Sequence, residues 1–138
     1  MIKLQIFNEV KKFKIPRGRI LKTFRKFLKK DGAGLRGEIS VIFVDEKAIT
    51  RLNEIWKGHK GSTDVLTFDY SEKKGVVNGE IYICPKVAEK YAMGAGGGII
   101  NEALNLFAHG LLHLAGYTHE TERKLAKMLK RTGELVEK

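Results

Sequence analysis

Three of the chain's four histidines, His109, His113 and His119, fall in one short block, HGLLHLAGYTH. Residues four apart on a helix stand one above the other, so the imidazoles of His109 and His113 can converge on one ion. Gly116 then offers the positive φ that ends a helix and turns the chain, and His119 can return to the same point as a third ligand. Three neutral imidazoles with a fourth position left open describe a catalytic zinc site; structural zinc sites are closed by four protein ligands, commonly cysteines. Leu106, Phe107, Leu111, Leu112 and Leu114 surround the histidines with apolar groups. Uncompensated imidazoles would be unfavourable there, so the expectation is one bound Zn2+ per chain.

The spacing matches that of the metzincin proteases, H-E-x-x-H-x-x-G-x-x-H, with one departure. Gly110 stands where those enzymes carry the glutamate that acts as general base. The chain therefore lacks a carboxylate where peptide hydrolysis needs one, and Glu120, beside His119, is the nearest substitute. Proteolysis is not the expected reaction. A three-histidine site can still bring the pKa of a bound water to about 7 without a carboxylate ligand.

Composition narrows the substrate. The 138 residues are 43% hydrophobic, which suits one domain over 1–138 with its own core. A formal net charge of +10 and a pI near 9.7 point to a polyanionic partner, most simply nucleic acid. The single cysteine, Cys84, excludes an internal disulfide framework and reads as a buried, inert thiol in the apolar run IYICP. The opening MIKLQIFNEV has no secretory pattern, and no run approaches the roughly 18 apolar residues of a spanning helix. A cytoplasmic protein with no membrane partner is the expectation.

Strand and helix signals alternate along the chain. MIKLQIFN reads as an edge strand. PRGRILKTFRKFLKK reads as a helix with Pro16 near its start, Ile20, Leu21, Phe24, Phe27 and Leu28 on its apolar stripe, and a heavily basic opposite face. EISVIFVD is a second strand. Asp45 is placed to cap a helix holding Ala48, Ile49, Leu52, Ile55 and Trp56. DVLTFDY and GEIYICP supply two more strands, and a helix around PKVAEKYAM follows. The tract GAGGG at 94–98 lacks the G-x-G-x-x-G spacing of a dinucleotide site and the lysine of a phosphate loop, so it reads as a hinge and no nucleotide cofactor is expected. Beyond it lies the central helix with the first two histidines, then a last helix from about Glu120 that buries Leu125, Met128 and Leu129. Four strands and about four helices make an α+β domain with helices packed on a sheet.

The histidine block resembles the H-G-x-L-H-L-x-G-Y-D-H signature of the YbeY family, zinc-dependent single-strand endoribonucleases of ribosomal RNA maturation. The segment LNEIWKGHKGSTDVLTF at 52–68 is similar to that family's L-N-x-x-Y-R-x-K-D-x-P-T-D-V-L-S-F, and GEIYI at 79–83 to its G-D-I-x-I strand. The resemblance covers most of the chain, with departures. Thr118 replaces the usual aspartate beside the third histidine, Lys57 stands at the family's arginine, His59 and Lys60 replace Lys-Asp, and Ser62 replaces proline. Lysine keeps the charge but lacks the planar fork that grips two phosphate oxygens.

The resemblance implies a zincin-like fold with a four-stranded mixed sheet and the metal site on the central helix and the turn after it. It implies zinc on His109, His113 and His119, with Lys57 and His113 as the catalytic residues and Lys57 steadying charge on the scissile phosphate. The attacking group is either a water on zinc or the ribose 2′-hydroxyl. The implied partners are single-stranded RNA, the 3′ end of the small-subunit ribosomal RNA and the small ribosomal subunit, in ribosome quality control as well as maturation. Trp56 and Tyr117 are candidate stacking residues by position, and the lysines of 11–30 a solvated face that can meet ribosomal RNA. Two other readings stay open: an RNA-binding assembly factor with a structural zinc, and a metallohydrolase of a small substrate.

Overall fold

The computed structural model describes residues 1–92 and 98–136. Four strands, β1 (Ile2–Asn8), β2 (Arg36–Phe43), β3 (Val65–Asp69) and β4 (Val76–Ile83), form one sheet in the order β1-β2-β4-β3. β1 pairs parallel with β2 and β2 parallel with β4, while β3 runs antiparallel to β4. The sheet is therefore mixed, with β1 at an edge as its alternating pattern predicts. Five helices pack on it: α1 (Arg17–Lys29), α2 (Glu46–Lys57), α3 (Pro85–Ala92), α4 (Gly98–Leu114) and α5 (Glu122–Val136). Each of the five described helices coincides with a segment read as helical from the sequence. Of the glycine tract, only Gly98 lies within the described residues, where it opens α4 at φ +74°.

Period-two alternation divides the core into two layers. Ile39, Val41 and Phe43 of β2, with Val77, Ile81 and Ile83 of β4, face α1, α4 and α5 in the larger cluster. Ile42 and Val44 turn to the opposite face and meet Ile49 of α2, Leu66, Cys84 and Val87 of α3. Cys84 is buried there, and burial pushes its thiol pKa up, as an inert thiol requires.

Three expected core stripes need correction. In α1, Ile20, Phe24 and Phe27 are buried as expected, but Thr23 joins them and Leu21 is exposed. In α2, Ile49 is buried, whereas Ile55 and Trp56 are 64% and 70% exposed. In α5, Met128 is buried with Thr132, Leu135 and Val136, while Leu125 and Leu129 lie on the open side. Apolar spacing fixes a face only to within a neighbouring row, and packing partners choose the row.

α4 is the helix that positions the site. It is buried through Ala103, Leu104, Phe107, Ala108, Leu111 and Leu112, between the sheet and its neighbouring helices. Gly110 is a point of close approach between this helix and the sheet: a Cβ there would meet Ile81 of β4 at 2.8–3.0 Å. The position where metzincins carry their glutamate thus faces the sheet, and only the missing side chain lets helix and strand meet. No helix among the described residues is long and apolar enough to cross a membrane.

Candidate metal centre and cleft

The chain leaves α4 through a Schellman motif. Gly116 adopts φ +104°; its N–H donates to the carbonyl of His113 at 3.0 Å, and the N–H of Tyr117 donates to the carbonyl of Leu112 at 2.9 Å. This reversal brings His119 back over the end of the helix that carries His109 and His113. Each histidine presents one ring nitrogen, and all three lie within 4.8 Å of one another. The ring centroids stand 4.7 Å apart for His109 and His113, 5.2 Å for His113 and His119, and 6.3 Å for His109 and His119. The spacing read from the sequence is realised as one cluster, the only such group of metal-ligand side chains among the described residues.

Electrostatics favour neutral rings at His109 and His113. Burial, reinforced by His113 and His119, holds the pKa of His109 down at about 4. His113 is lowered too, first by burial and then by the charges of His119 and Lys57, against a hydrogen bond with the backbone of Tyr117 that works the other way. Neutral imidazoles keep the lone pairs that bind a metal, and a set of three nitrogens suits zinc or a neighbouring transition ion. The donor set therefore fits a metal.

The cluster opens into a cleft of about 680 Å³ whose lining includes His109, His113, Lys57, His59 and Thr67. Gly58, at φ +70°, ends α2 immediately after Lys57. Asn53 shapes the loop beyond: its side-chain amide donates to the carbonyl of Gly61 at 3.0 Å, and its own backbone carbonyl accepts from the N–H of His59. The Lys57 ammonium reaches across to β3, donating to the carbonyl of Thr67 at 3.1 Å and standing 4.7 Å over the Phe68 ring. The structure thus places Lys57 in the same cleft as His109 and His113.

Other candidates fall elsewhere. Glu120 pairs with Lys124 at 3.7 Å on the exposed side and does not line the cleft. Thr118 lines a separate shallow groove with Lys124 and Lys127. Trp56 is exposed but is not part of the cleft lining. Tyr117 is half-buried against the core, and its hydroxyl donates to Asp31 at 2.8 Å, so it is a packed residue and not a free stacking platform. The cleft also includes His59, which in the sequence stands only as a departure from the family motif, and Thr67 and Asp69, which the sequence does not single out. Asp69 lies at the end of β3, and nothing in its sequence neighbourhood signals that position.

Residues 5–138 match the family model described as Endoribonuclease YbeY. The chain belongs to the YbeY family. A YbeY protein of Renibacterium salmoninarum, named Endoribonuclease YbeY, is 39% identical over 108 residues, 72% of this chain and 69% of that protein. One from Thermotoga petrophila with the same name is 42% identical over 100 residues, 72% of this chain and 65% of that protein. The chain thus spans about two-thirds of the length of these YbeY relatives. The solution structure of a Thermotoga maritima protein superposes with a TM-score of 0.68 at 33% identity, covering 96% of this chain and 88% of that one.

Proposed function

We propose that this YbeY chain, acting as one unit over residues 1–138, is a zinc-dependent endoribonuclease that cleaves single-stranded RNA. Its substrate is the 3′ end of the small-subunit ribosomal RNA, met on the small ribosomal subunit in the cytoplasm. The observation that carries this reading is the opening of a three-imidazole cluster into a cleft that also holds a cationic side chain. The names of the YbeY relatives and the net charge of +10 point the same way.

His109, His113 and His119 would hold the ion. When bound, zinc supplies Lewis-acid polarisation of a phosphoryl oxygen and makes a nearby water more acidic. Lys57 contributes a positive charge at the cleft wall. One of its three N–H groups is engaged by the Thr67 carbonyl, leaving two for phosphate oxygens. The Phe68 ring beneath it and the Thr67 tether confine the flexible stem, replacing in part the geometric control an arginine fork would give. Thr67 and Thr63 add neutral polar groups along the same wall, suited to sugar and base edges.

The test is single-turnover cleavage of a single-stranded RNA by the zinc-loaded protein. Lys57→Gln is expected to leave zinc content unchanged and slow cleavage by on the order of ten- to a thousandfold, while Lys57→Arg retains activity. A 2′,3′-cyclic phosphate product identifies the ribose hydroxyl as nucleophile, and a 5′-phosphate with a free 3′-hydroxyl identifies water. Cleavage by the parent no faster than by a triple-histidine variant prepared alongside would overturn the enzyme reading. Equal rates for Lys57→Gln and the parent would remove Lys57 from it.

A further inference from the structure

Asp31 lies just after α1, and its side chain is 2% exposed. Both carboxylate oxygens are engaged: Oδ1 accepts from the Tyr117 hydroxyl at 2.8 Å, and Oδ2 from Nε of Arg131 at 2.8 Å. Arg131, itself 14% exposed, belongs to α5 and also reaches Glu134 at 3.3 Å. A buried carboxylate so placed ties the end of α1, the turn after α4 and the face of α5 to one point.

Tyr117 is the member that lies between the second and third histidines in the chain. Its N–H completes the Schellman motif on Leu112, its backbone hydrogen-bonds the His113 ring, and His119 follows two residues later. Its phenol fastens the turn to an element far away in sequence, through the hydrogen bond to Asp31. A partner that holds a ligating imidazole's second nitrogen fixes its tautomer and direction. The turn that supplies the third ligand is otherwise short and leaves His119 exposed, so its position depends on what pins Tyr117.

Resting on the metal reading of the site, we propose that Asp31, held by Arg131, is a positioning residue: through the Tyr117 hydroxyl it fixes the turn that orients His113 and delivers His119. The buried ion pair is then an outer support for the metal centre. Removing the tether lets the third ligand wander without touching any ligand atom, and metal affinity falls while the helix-borne pair remains.

The experiment is titration of the metal-free full chain with Co(II), read by its visible ligand-field bands and in competition with a chelator. Tyr117→Phe removes one oxygen and keeps the ring. It is expected to lower Co(II) affinity about ten- to a hundredfold and to weaken the bands toward those of a less regular site. Asp31→Ala should lose a similar factor, and the double variant no more than the larger single loss, because both remove one link. If Asp31→Ala does not fold, Tyr117→Phe decides alone. Ile42→Val, in the apolar cluster on the opposite face of the sheet, should lower the melting temperature and leave Co(II) affinity unchanged. Parent-like affinity and bands in Tyr117→Phe would overturn the tether alone. A parent that takes up no Co(II) would overturn the metal reading and the tether together.

Discussion

Gly110→Ala tests how α4 is seated. In an unencumbered helix interior this change stabilises by about 1 kcal/mol, since alanine restricts the unfolded chain and is the best helix former. Here the added Cβ would lie 2.8 Å from Cδ1 and 3.0 Å from both Cγ1 and Cγ2 of Ile81, against an ordinary carbon–carbon contact of about 3.5–4.0 Å. Ile81 is fully buried in β4, one of the two central strands, and both branches are too close. A rotamer change therefore exchanges one clash for another. Helix and strand must separate by about half an ångström or more, at an overpacking penalty in the upper part of the usual range, about 2–3 kcal/mol. Set against the propensity gain, the net is a destabilisation of about 1–2 kcal/mol, or a melting temperature lower by about 4–8 °C for a chain of this size.

A thermal melt of Gly110→Ala alone gives the sign, and a double-mutant cycle assigns it. Ile81→Ala removes all three clashing carbons and by itself should cost about 2–5 kcal/mol. In that background the new methyl enters vacated space, so Gly110→Ala becomes stabilising and the coupling exceeds about 2 kcal/mol. A higher melting temperature for Gly110→Ala in the parent background would refute the close-approach account. The same geometry bears on function, since His109 is the adjacent residue. Gly110→Glu, which restores the metzincin glutamate in sequence, would drive a carboxylate into Ile81 and should prevent folding, with no gain of proteolysis.

Other expectations follow from the site and its scaffold. In the metal-free protein His109 and His113 bind protons less readily folded than unfolded, so stability is retained above pH 6.5 and lost as pH falls toward about 4; denaturant melts across that range should show a shallower loss for His109→Gln. Affinity for single-stranded RNA should fall steeply with salt, with a log–log slope of about −0.7 per phosphate neutralised, and a flat salt titration would argue against a phosphate-dominated contact. Asp45 caps α2 by accepting from the N–H of Ala48 at 2.8 Å. Asp45→Ala should therefore cost about 1 kcal/mol in a denaturant melt and leave metal content as it was.

What was legible in the sequence was local. His109 and His113 are one helical turn apart and Gly116 sits between them and His119, so short-range geometry alone brings the three together. Asp45 as a cap and β1 as an edge strand were readable for the same reason, because each depends on a few adjacent residues. Lys57 carries no such signal: its place beside the histidines comes from the pairing of β3 with β4 and from the Thr67 tether, and only resemblance to a known motif singled it out. Gly110 stands out in the sequence for the carboxylate it lacks, whereas its cause is the Ile81 contact across the sheet.

Asp31 and Arg131 mark the limit of such reading. Asp31 lies 86 residues before Tyr117 and 100 before Arg131, and both charged residues sit in stretches that resemble ordinary charged surface. A carboxylate in a basic, glycine-rich turn and an arginine in a lysine-rich helix give no periodic pattern. Their meaning arises only when α1, α5 and the turn after α4 meet. Ligand atoms can be found by spacing because metal chemistry demands that they be near in space and helices make near in sequence equivalent to near in space. The groups that hold those ligands still are chosen by whatever elements the fold brings alongside, so mutations that loosen the centre without touching its nitrogens should cluster at long sequence separation from the histidines, with Asp31 and Arg131 first among them.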